Sequence, residues 1–130
     1  MAHELTDDAW VLLSWFSLIG WDSSSLPELR RLGEGKPEKI PELTEALQLL
    51  AELGLVEIWR TNDDRLGETL VRDDAVEVVI RDRANWTLPG EPGFDPTTYY
   101  TAIPTGEAEQ LYLAEYEAGR PLLPSDNLIL

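Results

Sequence analysis

Residues able to carry out chemistry are scarce in this sequence. There is no cysteine among the 130 residues, and the single histidine is His3, close to one end. That leaves no thiol nucleophile, disulfide scaffold or zinc ribbon, and no imidazole base for a Ser-His-Asp arrangement. Gly33-Glu34-Gly35-Lys36 has the composition of a phosphate loop. A Walker A loop, however, needs four residues between its glycines and a hydroxyl after the lysine. Here one residue separates the glycines and Pro37 takes the hydroxyl position, so the segment reads as a connection between helices. Asn62 to Asp73 has the length of an EF-hand loop, but Leu66 stands where an oxygen ligand is required and the closing Glu is missing. Ser23-Ser24-Ser25 lacks the glycines of a nucleophile elbow. The pairs Asp7-Asp8, Asp63-Asp64 and Asp73-Asp74 fall at expected turns and helix starts, where Asp is common for local reasons. The expectation is a protein that is not an enzyme, with no catalytic residue, metal or cofactor.

The aromatic residues are the stronger candidates for function. Trp10, Trp15, Trp21, Trp59 and Trp86 are a dense set, and Trp serves equally well in a core or at an interface hot spot. Trp59 and Trp86 flank a long central stretch, so these two are expected to be exposed and to bind a partner. A small ligand pocket lined by Trp59, Trp86 and tyrosines is compatible with the same placement.

These side chains are positioned by a series of short elements. Thr6 or Asp7 starts a first helix that runs to about Ile19, with Gly20 as its stop. Its residues are apolar nearly all round, so it is either the central helix of the core or half of a dimer contact. Ser25 with Glu28 forms a capping box, and Pro27 in the first turn marks a short second helix ended by Gly33. Ile40, Leu43, Leu47, Leu50 and Leu53 recur every three or four residues, giving a third helix from about Pro41 to Leu53 with Gly54 as its stop. Leu55 to Arg60 alternates as a strand, and Thr61 to Asp64 reads as a turn. Residues 74–83 fit two periods. Val76, Val78 and Ile80 alternate as in a strand, while Asp74 with Glu77 and the spacing of Val76, Val79 and Ile80 favour a helix. Pro89 to Pro96 is an irregular loop, Thr97 to Ile103 a second strand, and Gly106 to Ala118 a last helix capped by Thr105.

Fifteen more acidic than basic charges give a net charge of −15, unevenly spread. Residues 26–40 are net positive through Arg30, Arg31, Lys36 and Lys39, whereas residues 84–130 hold Arg120 as their only cation. Such a field repels phosphate backbones and anionic membranes and favours a basic partner. The apolar run Trp10 to Gly20 is too short to span a bilayer and follows acidic residues, so no membrane segment or signal peptide is expected and the cytoplasm is the default location.

Two stretches resemble a known family. Leu43-Thr44-Glu45-Ala46-Leu47-Gln48-Leu49-Leu50-Ala51-Glu52-Leu53-Gly54-Leu55-Val56 is similar to the recognition helix and first wing strand of the MarR and PadR winged helix-turn-helix regulators. Tyr99-Tyr100-Thr101-Ala102-Ile103-Pro104-Thr105-Gly106-Glu107-Ala108 resembles their second wing strand and the helix that follows, with Ile103-Pro104 in place of a Leu-Thr pair. The resemblance implies an α+β fold: a single, mostly helical winged-helix-like domain over residues 1–130 with a small antiparallel sheet. Its wing strands would be separated by an insertion at about 61–96, and a tail would follow at about 120–130. Two functions follow as expectations. One is a non-catalytic regulator that binds a protein partner, basic by charge, of immunity or antagonist type, with a homodimer through the first helix and the tail as a further option. The other is a DNA-binding transcription regulator using Arg30, Arg31, Lys36, Lys39, Arg60 and Arg65 on phosphates and Gln48 on a base. Against it, Glu42, Glu45 and Glu52 share the solvent side of the third helix with Gln48, and no Lys or Arg accompanies them.

Overall fold

The computed structural model describes residues 5–33, 36–62, 69–92, 94 and 98–119. Helix α1 (Asp7–Leu18) starts where Thr6 Oγ1 accepts the Ala9 N–H, leaving the acidic Asp7 and Asp8 at the positive end of the helix. It ends in two left-handed residues, Gly20 at φ 76° and Trp21 at φ 64°. A two-residue strand β1 (Ser24–Ser25) leads directly into α2 (Leu26–Arg30), whose capping box forms as expected. Glu28 N–H donates to Ser25 Oγ, and Ser25 N–H donates to the Glu28 carboxylate.

Helix α3 (Ile40–Glu52) closes in the Schellman pattern, with Leu55 N–H bonded to Leu50 C=O and Gly54 N–H to Ala51 C=O. Gly54 sits at φ 74°, where a Cβ would be strained. Strand β2 (Val56–Asn62) begins at once and continues through Thr61 and Asn62, where a turn was expected. The cause is pairing: Thr61 and Asn62 face Tyr99 and Thr98 of β4 (Thr98–Pro104), and the ladder extends both strands. The short β3 (Thr69–Leu70) covers the other side of β2, and α4 (Asp73–Arg81) follows. Residues 74–81 are therefore helical, in line with their helical period. The Asp74 cap does not form, because Arg72 occupies the cap position and no side chain bonds there.

The four strands run antiparallel in the order β1-β4-β2-β3. Helix α5 (Gly106–Glu117) follows β4. Thr105 precedes it without capping it; the hydroxyl donates instead to Gly54 C=O and ties the start of α5 to the end of α3. Helices with a small antiparallel sheet make this an α+β fold. One buried cluster joins Trp10, Leu12, Leu13 and Phe16 of α1 to Leu26, Leu29, Leu43, Leu47, Leu50 and Ile58. Helix α1 is thus mostly core, although Leu18 at its end is 78% exposed. No helix among the described residues is long and apolar enough to cross a membrane.

Candidate functional site

The segment between β2 and β4 determines which surfaces remain open. Helix α4 packs along α3, and Ile80 is fully buried beneath it. Arg81 reaches Glu45 on α3 at 2.8 Å and Glu77 on its own helix at 3.0 Å. The hydrogen bond that Arg81 donates to Glu45, supplemented by the one it donates to Glu77, raises the guanidinium above its ordinary pKa. Both partners of the Arg81–Glu45 bridge are well exposed, so the bridge adds little and the burial of Ile80 holds the helix.

After α4 the chain turns through a short 3-10 segment, Arg83–Trp86, onto α2. Trp86 is 0% exposed, and its indole N–H donates to Ile80 C=O at 2.8 Å. The expected exposure of Trp86 is therefore wrong: the segment between β2 and β4 folds back and places this ring in the common core. Trp59 is half-buried on β2 and donates its indole N–H to Glu57.

The residues proposed to touch DNA do not behave as a set. Arg30 is only 2% exposed; it donates to Trp86 C=O and takes both oxygens of Glu91, so it is withdrawn from any phosphate. The hydrogen bonds from Arg30, helped by Leu88 N–H, hold the Glu91 carboxyl below the ordinary carboxylate range. Gln48 is 8% exposed and donates to Glu52 at 3.0 Å on the same helix, so its amide is buried and engaged and not free to reach a base. Arg31, Lys36 and Arg60 are exposed, Lys39 is half-buried, and Arg65 lies outside the described residues. Glu45 and Glu52 remain on the exposed side of α3, while Glu42 is half-buried.

Two places have features that point to binding. The first is the seam between α1 and α5, which pack together, with Trp10 and Tyr112 buried in it and Tyr116 at its exposed rim. Tyr112 stacks on Trp10 at 4.8 Å, meets Trp21 edge-on at 5.5 Å, and is followed by the parallel ring of Tyr116 at 6.3 Å. Trp21 holds its left-handed conformation with its N–H bonded to Phe16 C=O at 2.7 Å. A bulky side chain at positive φ is strained, and such strain tends to persist where a site uses it. Leu18, Leu113 and Tyr116 stand exposed on the same two helices. Glu107, Glu109, Glu115 and Glu117 supply all of α5's charge. The sequence hinted at this surface only through the apolar first helix; the part played by Leu113 and Tyr116 was missed, because α5 has no clear apolar stripe.

The second is a cleft of about 530 Å³ between the end of α3, β2 and the start of α4, with Ile58, Leu70, Val71 and Val76 among its walls. A neighbouring hollow of about 400 Å³, lined by Gln48 and Glu52, meets it along Ala51, Gly54 and Val76. No group of three His, Cys, Asp or Glu that could hold a metal occurs among the described residues. No protein-family profile matches the chain, and no curated protein or solved structure matches it either.

Proposed function

We propose that this chain is a non-catalytic, winged-helix-like interaction protein that binds a basic protein partner through the acidic, aromatic surface of α1 and α5. Apart from β3 and α4, which lie between β2 and β4, the order α1-β1-α2-α3-β2-β4-α5, with β1 on one side of β4 and β2 on the other, supports the winged-helix reading. Recognition helices of that class enter the major groove with side chains reaching base edges. Here α4 lies along that helix, Gln48 is buried and Arg30 is committed to Glu91. These facts weigh against the alternative of a DNA-binding regulator.

The observation that carries the proposal is the pairing of exposed Leu18, Leu113 and Tyr116 with a helix charged only by carboxylates. Two of those carboxylates, Glu115 and Glu117, sit in the last turns of α5, where the helix dipole disfavours anions. A second copy of the chain would set carboxylates against carboxylates. A basic partner, of the kind an immunity protein or antagonist neutralises, would meet them with opposite charge. The cytoplasm is the proposed setting.

Two measurements test this. Fluorescence anisotropy with a generic duplex DNA at low salt should show no binding up to about 100 µM, the weak end of non-specific affinity. Salt-sensitive binding below that concentration would restore the DNA reading. Affinity capture is then run in parallel with the wild type and a Leu18→Asp, Tyr116→Asp double variant. The proposal requires a basic protein that, once purified, binds the wild type and not the variant. A purified partner that binds both equally would place the interface elsewhere, and a wild-type dimer dispersed by the variant would assign the surface to self-association.

A further inference from the structure

A hollow of about 400 Å³ opens between the first turns of α2 and the segment that follows Trp86. Pro27, Leu88, Pro89, Phe94 and Tyr99 give it an apolar lining of two prolines, two aromatic rings and a leucine. Ser25, Glu28 and Arg31 add its polar groups. The wall formed by Leu88, Pro89 and Phe94 is set in place by contacts of its own. Glu91 N–H donates to Leu88 C=O, Phe94 N–H to Glu91 C=O, and Leu88 N–H to the Glu91 carboxylate. That carboxylate is held in turn by the guanidinium of Arg30 on α2, a residue only 2% exposed. The two walls are therefore tied together by one buried cation, and the cleft is formed before any ligand arrives.

The polar groups define the occupant. Arg31 is exposed, and its guanidinium enters no hydrogen bond or ion pair among the described residues. Tyr99 is 42% exposed and carries a phenolic O–H. Ser25 Oγ accepts Glu28 N–H and still has its own O–H to give. On the acceptor side, Glu28 Oε1 already takes Ser25 N–H, and Leu88 C=O takes Glu91 N–H. The cleft thus offers donors and rings. A carboxylate ligand could use the donors, but it would meet Glu28 and the field of a chain with net charge −15. A cation would face Arg31. An ordinary peptide would bring backbone N–H groups that need acceptors. A proline-rich stretch is neutral, has carbonyls without N–H groups, and sets rings against rings. Its polyproline II helix is already extended in solution, so docking costs it little ordering entropy.

We propose that this cleft binds a proline-rich segment of a partner protein in the polyproline II conformation, its rings packed on Tyr99 and Phe94 and a carbonyl accepting from Arg31. One turn of such a helix is three residues over about 9 Å, on the scale of a 400 Å³ cleft. The site is independent of the basic-partner proposal, because it lies on α2, β4 and residues 88–94 and not on α1 and α5.

The test is a titration of the purified chain with a blocked decaproline peptide, followed by amide ¹H–¹⁵N NMR. A blocked peptide of alternating alanine and serine, and sodium benzoate, are the controls. Saturable shifts at Glu28, Arg31, Leu88, Phe94 and Tyr99 are expected for decaproline alone. Tyr99→Ala should weaken binding about tenfold or more, as the loss of an aromatic anchor does. Arg31→Met, at an exposed position just past the end of α2, should weaken it about tenfold through the lost charged donor. This second variant serves if Tyr99→Ala disturbs the sheet. The inference fails if decaproline does not saturate by about 1 mM, where the binding free energy is only about 4 kcal/mol. It also fails if the alanine–serine peptide binds as well, if benzoate is preferred, or if either variant, once folded, binds as the wild type does.

Discussion

Arg30 and Glu91, separated by 61 positions in the sequence, are joined by two guanidinium–carboxylate hydrogen bonds of 2.5 and 2.8 Å. The same guanidinium donates to Trp86 C=O at 3.0 Å. This contact fixes the segment between β2 and β4 onto α2, and it turns a residue that looks like a surface cation into an internal clamp. A bidentate, charge-assisted pair with one buried member is costly to break from either side, because the remaining group keeps its desolvation penalty.

Arg30→Met should keep the packing volume but leave Trp86 C=O without its donor, destabilising the fold by about 1–3 kcal/mol. Urea denaturation at pH 7 measures this. Glu91 adds a pH signature. Its carboxyl is held below the ordinary value of 4.5, so it stabilises the native state fully above that pH. The contribution disappears as pH falls from there through the lowered value. Wild type should therefore lose its advantage over Glu91→Gln on acidification below pH 4.5, while the gap stays constant from pH 6 to 8.

Trp86→Ala should be among the most damaging substitutions, at about 3–5 kcal/mol for a fully buried large ring. Trp86→Phe should be milder, about 1–3 kcal/mol, since it leaves Ile80 C=O without its donor and keeps most of the packing. Thermal melts followed by near-ultraviolet circular dichroism distinguish the two. Acrylamide should quench Trp59 and leave Trp86 protected.

Ile80→Ala opens the contact beneath α4 and should cost about 2–5 kcal/mol. Amides of residues 76–81 should then exchange with deuterium faster than those of α1. Even with α4 loosened, this variant should bind duplex DNA poorly, because Glu45 and Glu52 remain exposed on α3.

Glu117→Lys places a cation in the last turn of α5, where the dipole favours it, and should raise stability by about 0.3–1 kcal/mol. The same change should weaken a basic partner. Stability and binding moving in opposite directions is the signature of a charge kept for recognition. Leu18→Asp, at an exposed position, should leave stability within about 0.5 kcal/mol in chemical denaturation while abolishing the partner complex.

Local signals predicted much of the secondary structure. The Ser25–Glu28 capping box, the left-handed Gly54 and the three-and-four spacing of α3 are all short-range devices, complete within a few residues. The two-residue strands β1 and β3 have no such signal. Each exists only through its neighbour, Ser24 opposite Ala102 and Leu70 opposite Trp59, and neighbours far along the chain leave no mark on local sequence.

Most helix starts and stops and the acid excess are legible in the sequence, because propensity, capping and charge count are properties of residues and near neighbours, and the α+β class came from the resemblance. Which charged and aromatic residues are available depends on tertiary contacts. Arg30 and Trp86 have types common at binding sites, yet both are buried, because the segment between β2 and β4 folds over α2 and brings Glu91 and Ile80 to them. Burial is a non-local property: the free energy of a charge or an indole depends on what the rest of the chain places beside it.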